Sequence, residues 1–128
     1  MTQQNVNVIC VFDTETTQEN GPNVAATVYM ISDQGPSAAG QGTSELTITV
    51  NVGDTITWTL VPLLSFMSVS YTGFEQTAGT GVLSTRQISS TQWTANCLGS
   101  GQVTYHFNLQ IANDGNTYWW DPFITINP

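Results

Sequence analysis

The chain has 128 residues and a mass of 13.9 kDa, which fits one domain, residues 1–128, large enough for a hydrophobic core. Only 8% of its residues are charged, and Arg86 is the single strong cation against nine acids, so the formal charge is −8. That balance disfavours nucleic acid and anionic membrane surfaces as partners, and no apolar stretch approaches the roughly 20 residues of a membrane span.

Polarity comes instead from Thr, Ser, Asn and Gln, which suit strand faces and turns better than helix interiors. The first strand is expected over Asn5 to Phe12, where Val8-Ile9-Cys10-Val11-Phe12 is apolar on both faces and reads as a covered central strand. Asp13-Thr14-Glu15-Thr16 ends it, Gly21-Pro22 punctuates a loop, and Ala25 to Ile31 is a second strand. Ser32 to Thr43, rich in Gly, Ser and Ala, reads as an exposed connection.

The clearest alternation follows. Leu46, Ile48 and Val50 share one face, and after a turn at Asn51-Val52-Gly53-Asp54, so do Ile56, Trp58 and Leu60. Pro62 interrupts the pattern, Ser65 to Tyr71 resumes it, and Gly73 to Gly81 reads as a loop. Weaker strands fall at Val82 to Ile88 and Gln92 to Asn96. In Gln102 to Ile111, Val103, Tyr105, Phe107 and Leu109 face inward, while Thr104, His106, Asn108 and Gln110 face out. Asn113-Asp114-Gly115-Asn116 is a hairpin-turn signal, and a final strand runs from Tyr118 to Ile126. Some eight short strands without helical periodicity predict an all-β fold, a single antiparallel β-sandwich of jelly-roll or Greek-key type. Val8, Cys10, Ile48, Ile56, Trp58, Tyr105, Phe107 and Ile124 are its predicted core.

The residues offer little for catalysis. His106 is the only histidine, and a triad would need Asp54 or Asp114 beside it, while no Gly-x-Ser-x-Gly nucleophile motif is present. Val52-Gly53-Asp54-Thr55-Ile56-Thr57-Trp58 looks like a cupredoxin strand, but one histidine cannot complete a blue-copper site. Asp13 and Glu15, two apart, are weak candidates for holding calcium; no other metal or cofactor is expected. Cys10 and Cys97 fit no metal spacing and read as buried free thiols. Met1-Thr2-Gln3-Gln4-Asn5 lacks the basic start and apolar region of a secretory signal, so cytoplasmic synthesis is the expectation.

What remains is aromatic. Trp93, Tyr105, Tyr118, Trp119 and Trp120 stand with Asn116 and Asp121 among the nearby polar groups. Indoles stack on the apolar faces of sugars while Asn and Asp side chains take hydroxyls. In a strand Trp119 and Trp120 point to opposite faces, so one can anchor the core while the other faces solvent. The expected sugar site has Trp120 as platform, Asp121 and Asn116 as hydroxyl partners, and Trp119 and Tyr118 beside them.

Val6-Asn7-Val8-Ile9-Cys10-Val11-Phe12-Asp13-Thr14-Glu15-Thr16 and Tyr118-Trp119-Trp120-Asp121-Pro122-Phe123-Ile124 resemble the opening and close of the AidA/PixA family of bacterial inclusion-body proteins. Tyr29-Met30, Gly40-Gln41-Gly42-Thr43 and Val52 to Trp58 are similar too, in the same order along nearly the whole chain. The resemblance implies an abundant cytoplasmic protein that gathers with itself into inclusions, in bacteria that live with or attack animal hosts. Glycan binding is proposed within the family, and no catalytic residues come with it. The chain departs from the family's pattern in a shorter segment after Thr16 and in having only three methionines. The expectation is therefore a non-enzymatic, self-associating sandwich with carbohydrate recognition. The alternatives are a purely structural or storage inclusion protein and, third, a small hydrolase.

Overall fold

Period-two alternation puts one side of each strand in a common core. The computed structural model describes residues 4–13, 28–35, 38–62, 69–79, 82–111, 117–120 and 122–128. Among these, the strands are β1 (Asn5–Phe12), β2 (Val28–Ser32), β3 (Thr47–Asn51), β4 (Thr55–Pro62), β5 (Val69–Ala78), β6 (Leu83–Ser89), β7 (Gln92–Cys97), β8 (Gly101–Ile111) and β9 (Phe123–Asn127). They form a five-stranded sheet, β2-β1-β4-β7-β6, packed on a four-stranded sheet, β3-β9-β8-β5. This is the expected all-β sandwich. Among the described residues no helix is long and apolar enough to cross a membrane.

Every predicted core residue is buried. The centre is aromatic: Trp58 of β4 lies 5.3 Å from Phe107, 5.4 Å from Tyr105 and 5.7 Å from Phe74, and its Nε1 donates to the Tyr105 hydroxyl at 3.0 Å. One strand of the five-stranded sheet thus meets two of the four-stranded sheet in a single ring cluster. The turn that carries the chain from β3 to β4, and so from one sheet to the other, is tied by Asp54. Its buried carboxylate accepts the backbone N–H of Asn51 at 2.8 Å and of Gln4 at 3.0 Å. Gly53 there has φ 96, a left-handed value that favours glycine.

The structure departs from the sequence expectations in several places. The sandwich is not wholly antiparallel: β1 pairs parallel with β4, and β3 with β9. Each of these neighbours is reached after the chain has crossed to the opposite sheet and returned, a path that permits parallel pairing as a tight hairpin does not. Gly73 to Ala78 is strand, not loop. Register shifts between Tyr71 and Gly73 and between Gln76 and Ala78 break the period-two pattern that would have revealed it. β5 is followed by Gly79, whose φ is 74 and where a Cβ would run into the Gln102 carbonyl. The connection after β2 is only partly exposed: Ala38 is buried, and the Gln41 side chain bonds both backbone groups of Ser32. The end of the chain is divided, Tyr118 forming an isolated bridge to Leu109 and β9 starting only at Phe123. Pro122, which has no N–H to give a ladder, separates the two. Finally, β1 is central but not covered on both faces, because Ile9 is 45% exposed.

Cys10 and Cys97 are free and buried. Burial pushes the Cys10 thiol up to about 12; burial, and then the nearby Asp54 carboxylate, push Cys97 up to about 11. Burial likewise holds the hydroxyls of Tyr71 and Tyr105 well above the usual tyrosine range. These groups stay protonated in the folded chain while the same thiols ionise near 9.0 once unfolded. The unfolded state then binds fewer protons, so stability falls as pH rises. The stabilisation is complete below 9.0 and is lost progressively as pH climbs through about 11 to 12. Urea unfolding across that range should show a midpoint that declines with pH. A midpoint independent of pH would place the thiols in water.

Candidate functional site

The outward face of β8 carries Thr104, His106, Asn108 and Gln110, each opposite to a buried neighbour in the strand. β5 lies antiparallel beside it at the sheet edge, setting Glu75 across from His106 and Gly73 across from Asn108. The imidazole Nε2 and Glu75 Oε2 are 2.9 Å apart. The carboxylate is largely exposed, so the pair contributes only about 0–1 kcal/mol to stability. Its effect is to hold the imidazole at a fixed place on the sheet. Gly73 leaves room at its neighbour: a Cβ there would stand 3.4 Å from Asn108 Nδ2. At the second register shift of β5, the Thr77 hydroxyl donates to the Thr104 carbonyl at 3.3 Å.

The third wall comes from the bridge between Leu109 and Tyr118. Backbone hydrogen bonds of 2.9 Å in both directions hold Tyr118 beside Leu109, and both side chains enter the core. Alternation then turns Trp119 outward and Trp120 back in. Trp119 is 39% exposed, with its ring 5.7 Å from that of His106 and tilted by 41°. Thr77, His106, Asn108 and Trp119 line an open groove of about 450 Å³. An aromatic wall faces a floor of hydroxyl, amide and imidazole groups, with a carboxylate at the rim.

The expected sugar site is therefore corrected in its main residue. Trp120 is 2% exposed: its indole lies 6.2 Å from Phe12 and 6.4 Å from Phe107, and its Nε1 donates to Met30 Sδ at 3.0 Å. An indole closed in on these sides offers no face to a ligand. Tyr118 is buried as well, with its ring 6.3 Å from Phe12. Trp119 holds the exposed position, while Asn116 and Asp121 lie outside the described residues. Of the two acids considered beside His106, the described one lies elsewhere. Asp54 serves the β3–β4 turn, and Asp114 lies outside the described residues. Among the described residues the acid paired with His106 is Glu75, which the sequence places in an expected loop. Asp13 is partly buried just past β1, Glu15 lies outside the described residues, and among the described residues no three His, Cys, Asp or Glu side chains gather to hold a metal.

A family model described as a domain of unknown function (DUF8788) matches residues 4–118. No curated protein matches the chain. Among solved structures, the inclusion body protein PixA from Burkholderia cenocepacia J2315 aligns with a TM-score of 0.74 at 15% identity, over 98% of this chain and 96% of that one. The protein thus has the fold of an inclusion-body protein. The cysteine protease inhibitor EhICP2 from Entamoeba histolytica aligns with a TM-score of 0.47 at 12% identity, over 99% of this chain and 100% of that one.

Proposed function

The chain belongs to the DUF8788 family, whose description names no activity, and we propose from the groove itself that the protein is a non-enzymatic carbohydrate-binding sandwich of the AidA/PixA inclusion-body type that assembles with copies of itself. The observation that carries the sugar reading is Trp119: a large indole kept exposed, beside an imidazole and an amide, on a face where alternation would have allowed any polar residue. Burial is the usual lot of such a ring, and an exposed one flanked by fixed polar groups suits a ligand with one apolar and one hydroxylated side. A pyranose has that character. Its C–H face stacks on the negative face of the indole, and its hydroxyls reach Asn108, His106 and Glu75. The groove admits one or two sugar rings, and no lysine or arginine is among its described lining residues, so a neutral sugar is the class it fits.

The expected result is reproducible binding of one sugar family on a glycan array. Trp119→Ala should weaken that binding at least about tenfold, through loss of a stacking contact worth roughly 1.4 kcal/mol or more, with a nearly unchanged melting temperature. An array blank for every sugar, with the protein folded, would leave the inclusion-forming role alone. The hydrolase reading is not favoured, because the Thr77 hydroxyl in the groove is already engaged with the Thr104 carbonyl.

A further inference from the structure

The other outer face of the sandwich, that of β2-β1-β4-β7-β6, carries a patch that a lone molecule has no use for. Ile9 is paired with Ile31 on β2, and Val11 with both Tyr29 on β2 and Val61 on β4. Ile9, Tyr29, Ile31 and Val61 are all exposed, Ile31 at 47%. Ile9 and Val11 lie on the outward side of the second half of β1, Val8 to Phe12, which is apolar on both sides, the pattern of a strand covered above and below. Among the described residues nothing supplies the second cover.

Charge indicates what supplies it. One row of residues runs straight across this sheet through the registers Asn7–Thr57, Thr57–Thr94 and Thr94–Arg86. At its other end stands Asp33, whose carboxylate accepts the backbone and side-chain N–H groups of Asn7 at 3.2 and 3.1 Å. The chain's only strong cation and an acid therefore occupy opposite ends of one row, four strand spacings or about 19 Å apart. Between them lie only Asn and Thr. Among the described residues Arg86 is in no ion pair.

We infer that this face is the contact between two copies of the chain, related by a twofold axis running along β4. That operation lays β2 of one copy over β6 of the other. Asp33 then meets Arg86 of the second copy at both ends of the row, Ile31 comes over the edge where Ile88 is exposed, and Val61 lies near its own counterpart. The apolar side chains supply the attraction, and the two rim pairs set the register. Among the described residues no acid lies inside the patch to meet a cationic partner, and an anionic one would meet a molecule of charge −8. A second copy satisfies both ends of the row at once. This names the surface of the self-association proposed above and rests on that reading, while the sugar groove lies on the opposite sheet and stays open.

Sedimentation of the full chain over a range of concentrations provides the test, with melting temperatures as a control for folding. Wild type should dimerise. Ile9→Asp should abolish the dimer, and Arg86→Asp or Asp33→Arg alone should weaken it at least about tenfold by setting like charges together. The double variant Asp33→Arg/Arg86→Asp should restore association to within about threefold of wild type. A wild-type chain that stays monomeric at every concentration overturns the self-association reading itself. A dimer indifferent to Ile9→Asp and Arg86→Asp leaves self-association standing and overturns this face as its site. Single variants that weaken the dimer without rescue by the double exchange overturn the twofold arrangement.

Discussion

Trp58→Ala is expected to cost about 4–5 kcal/mol in unfolding free energy, a large part of the roughly 5–15 kcal/mol that holds a domain together. The indole stands on the five-stranded sheet, is fully buried and touches three rings of the four-stranded sheet, so its removal opens a cavity where the sheets meet. It also withdraws the Nε1–H donor from the buried Tyr105 hydroxyl, 3.0 Å away, and an unsatisfied buried hydroxyl adds about 1–3 kcal/mol. The two contributions separate experimentally. Trp58→Phe keeps a ring in the cluster and loses the donor, so it should cost clearly less than Trp58→Ala. Denaturant unfolding of both variants is the measurement. A loss below about 1 kcal/mol for Trp58→Ala would mean that the ring cluster does not join the sheets.

The cluster was legible in the sequence because its residues obey strict alternation. In β4 and β8 the apolar positions recur every second residue over five residues or more, and burial follows them without exception from Ile56 to Leu60 and from Val103 to Ile111. Such strands declare their inner face by themselves. β5 could not, because its bulges shift the parity in mid-strand and Glu75 fell in what read as a loop. The partner of His106 is thus set by a pairing between distant segments, which composition near either residue does not encode. The parallel neighbours escaped for a similar reason: local patterning says how a strand faces, not which strand lies beside it. A signal did exist for the tryptophan pair. With Val103 to Leu109 inward and a turn at Asn113 to Asn116, folding the hairpin back sets Tyr118 beside an inward residue, and alternation then exposes Trp119. Neighbouring indoles differ in face by geometry alone, and only the bridge between Leu109 and Tyr118 decides which is which.

Trp120→Ala should accordingly behave as a core variant, with an expected cost of about 3–4 kcal/mol. The indole contacts Phe12 on β1 and Phe107 on β8, one from each sheet. Its Nε1 bond goes to a thioether sulfur, a weak acceptor, so less is lost with the donor than at Trp58. The cost is mainly the cavity. Trp120→Phe refills part of that volume and should recover a substantial share of the stability. The informative comparison joins stability to sugar binding. Measured well below its melting transition, Trp120→Ala should keep its affinity for any sugar the wild type binds, because its indole lines no part of the groove. Trp119→Ala should do the reverse, melting as the wild type does while losing the sugar. If Trp120→Ala instead kept the wild-type melting temperature and lost sugar binding, the inner and outer faces of this segment would have to be exchanged. The bridge between Leu109 and Tyr118 would then be out of register by one residue, since a one-residue slip is what turns every side chain of a strand to the other face.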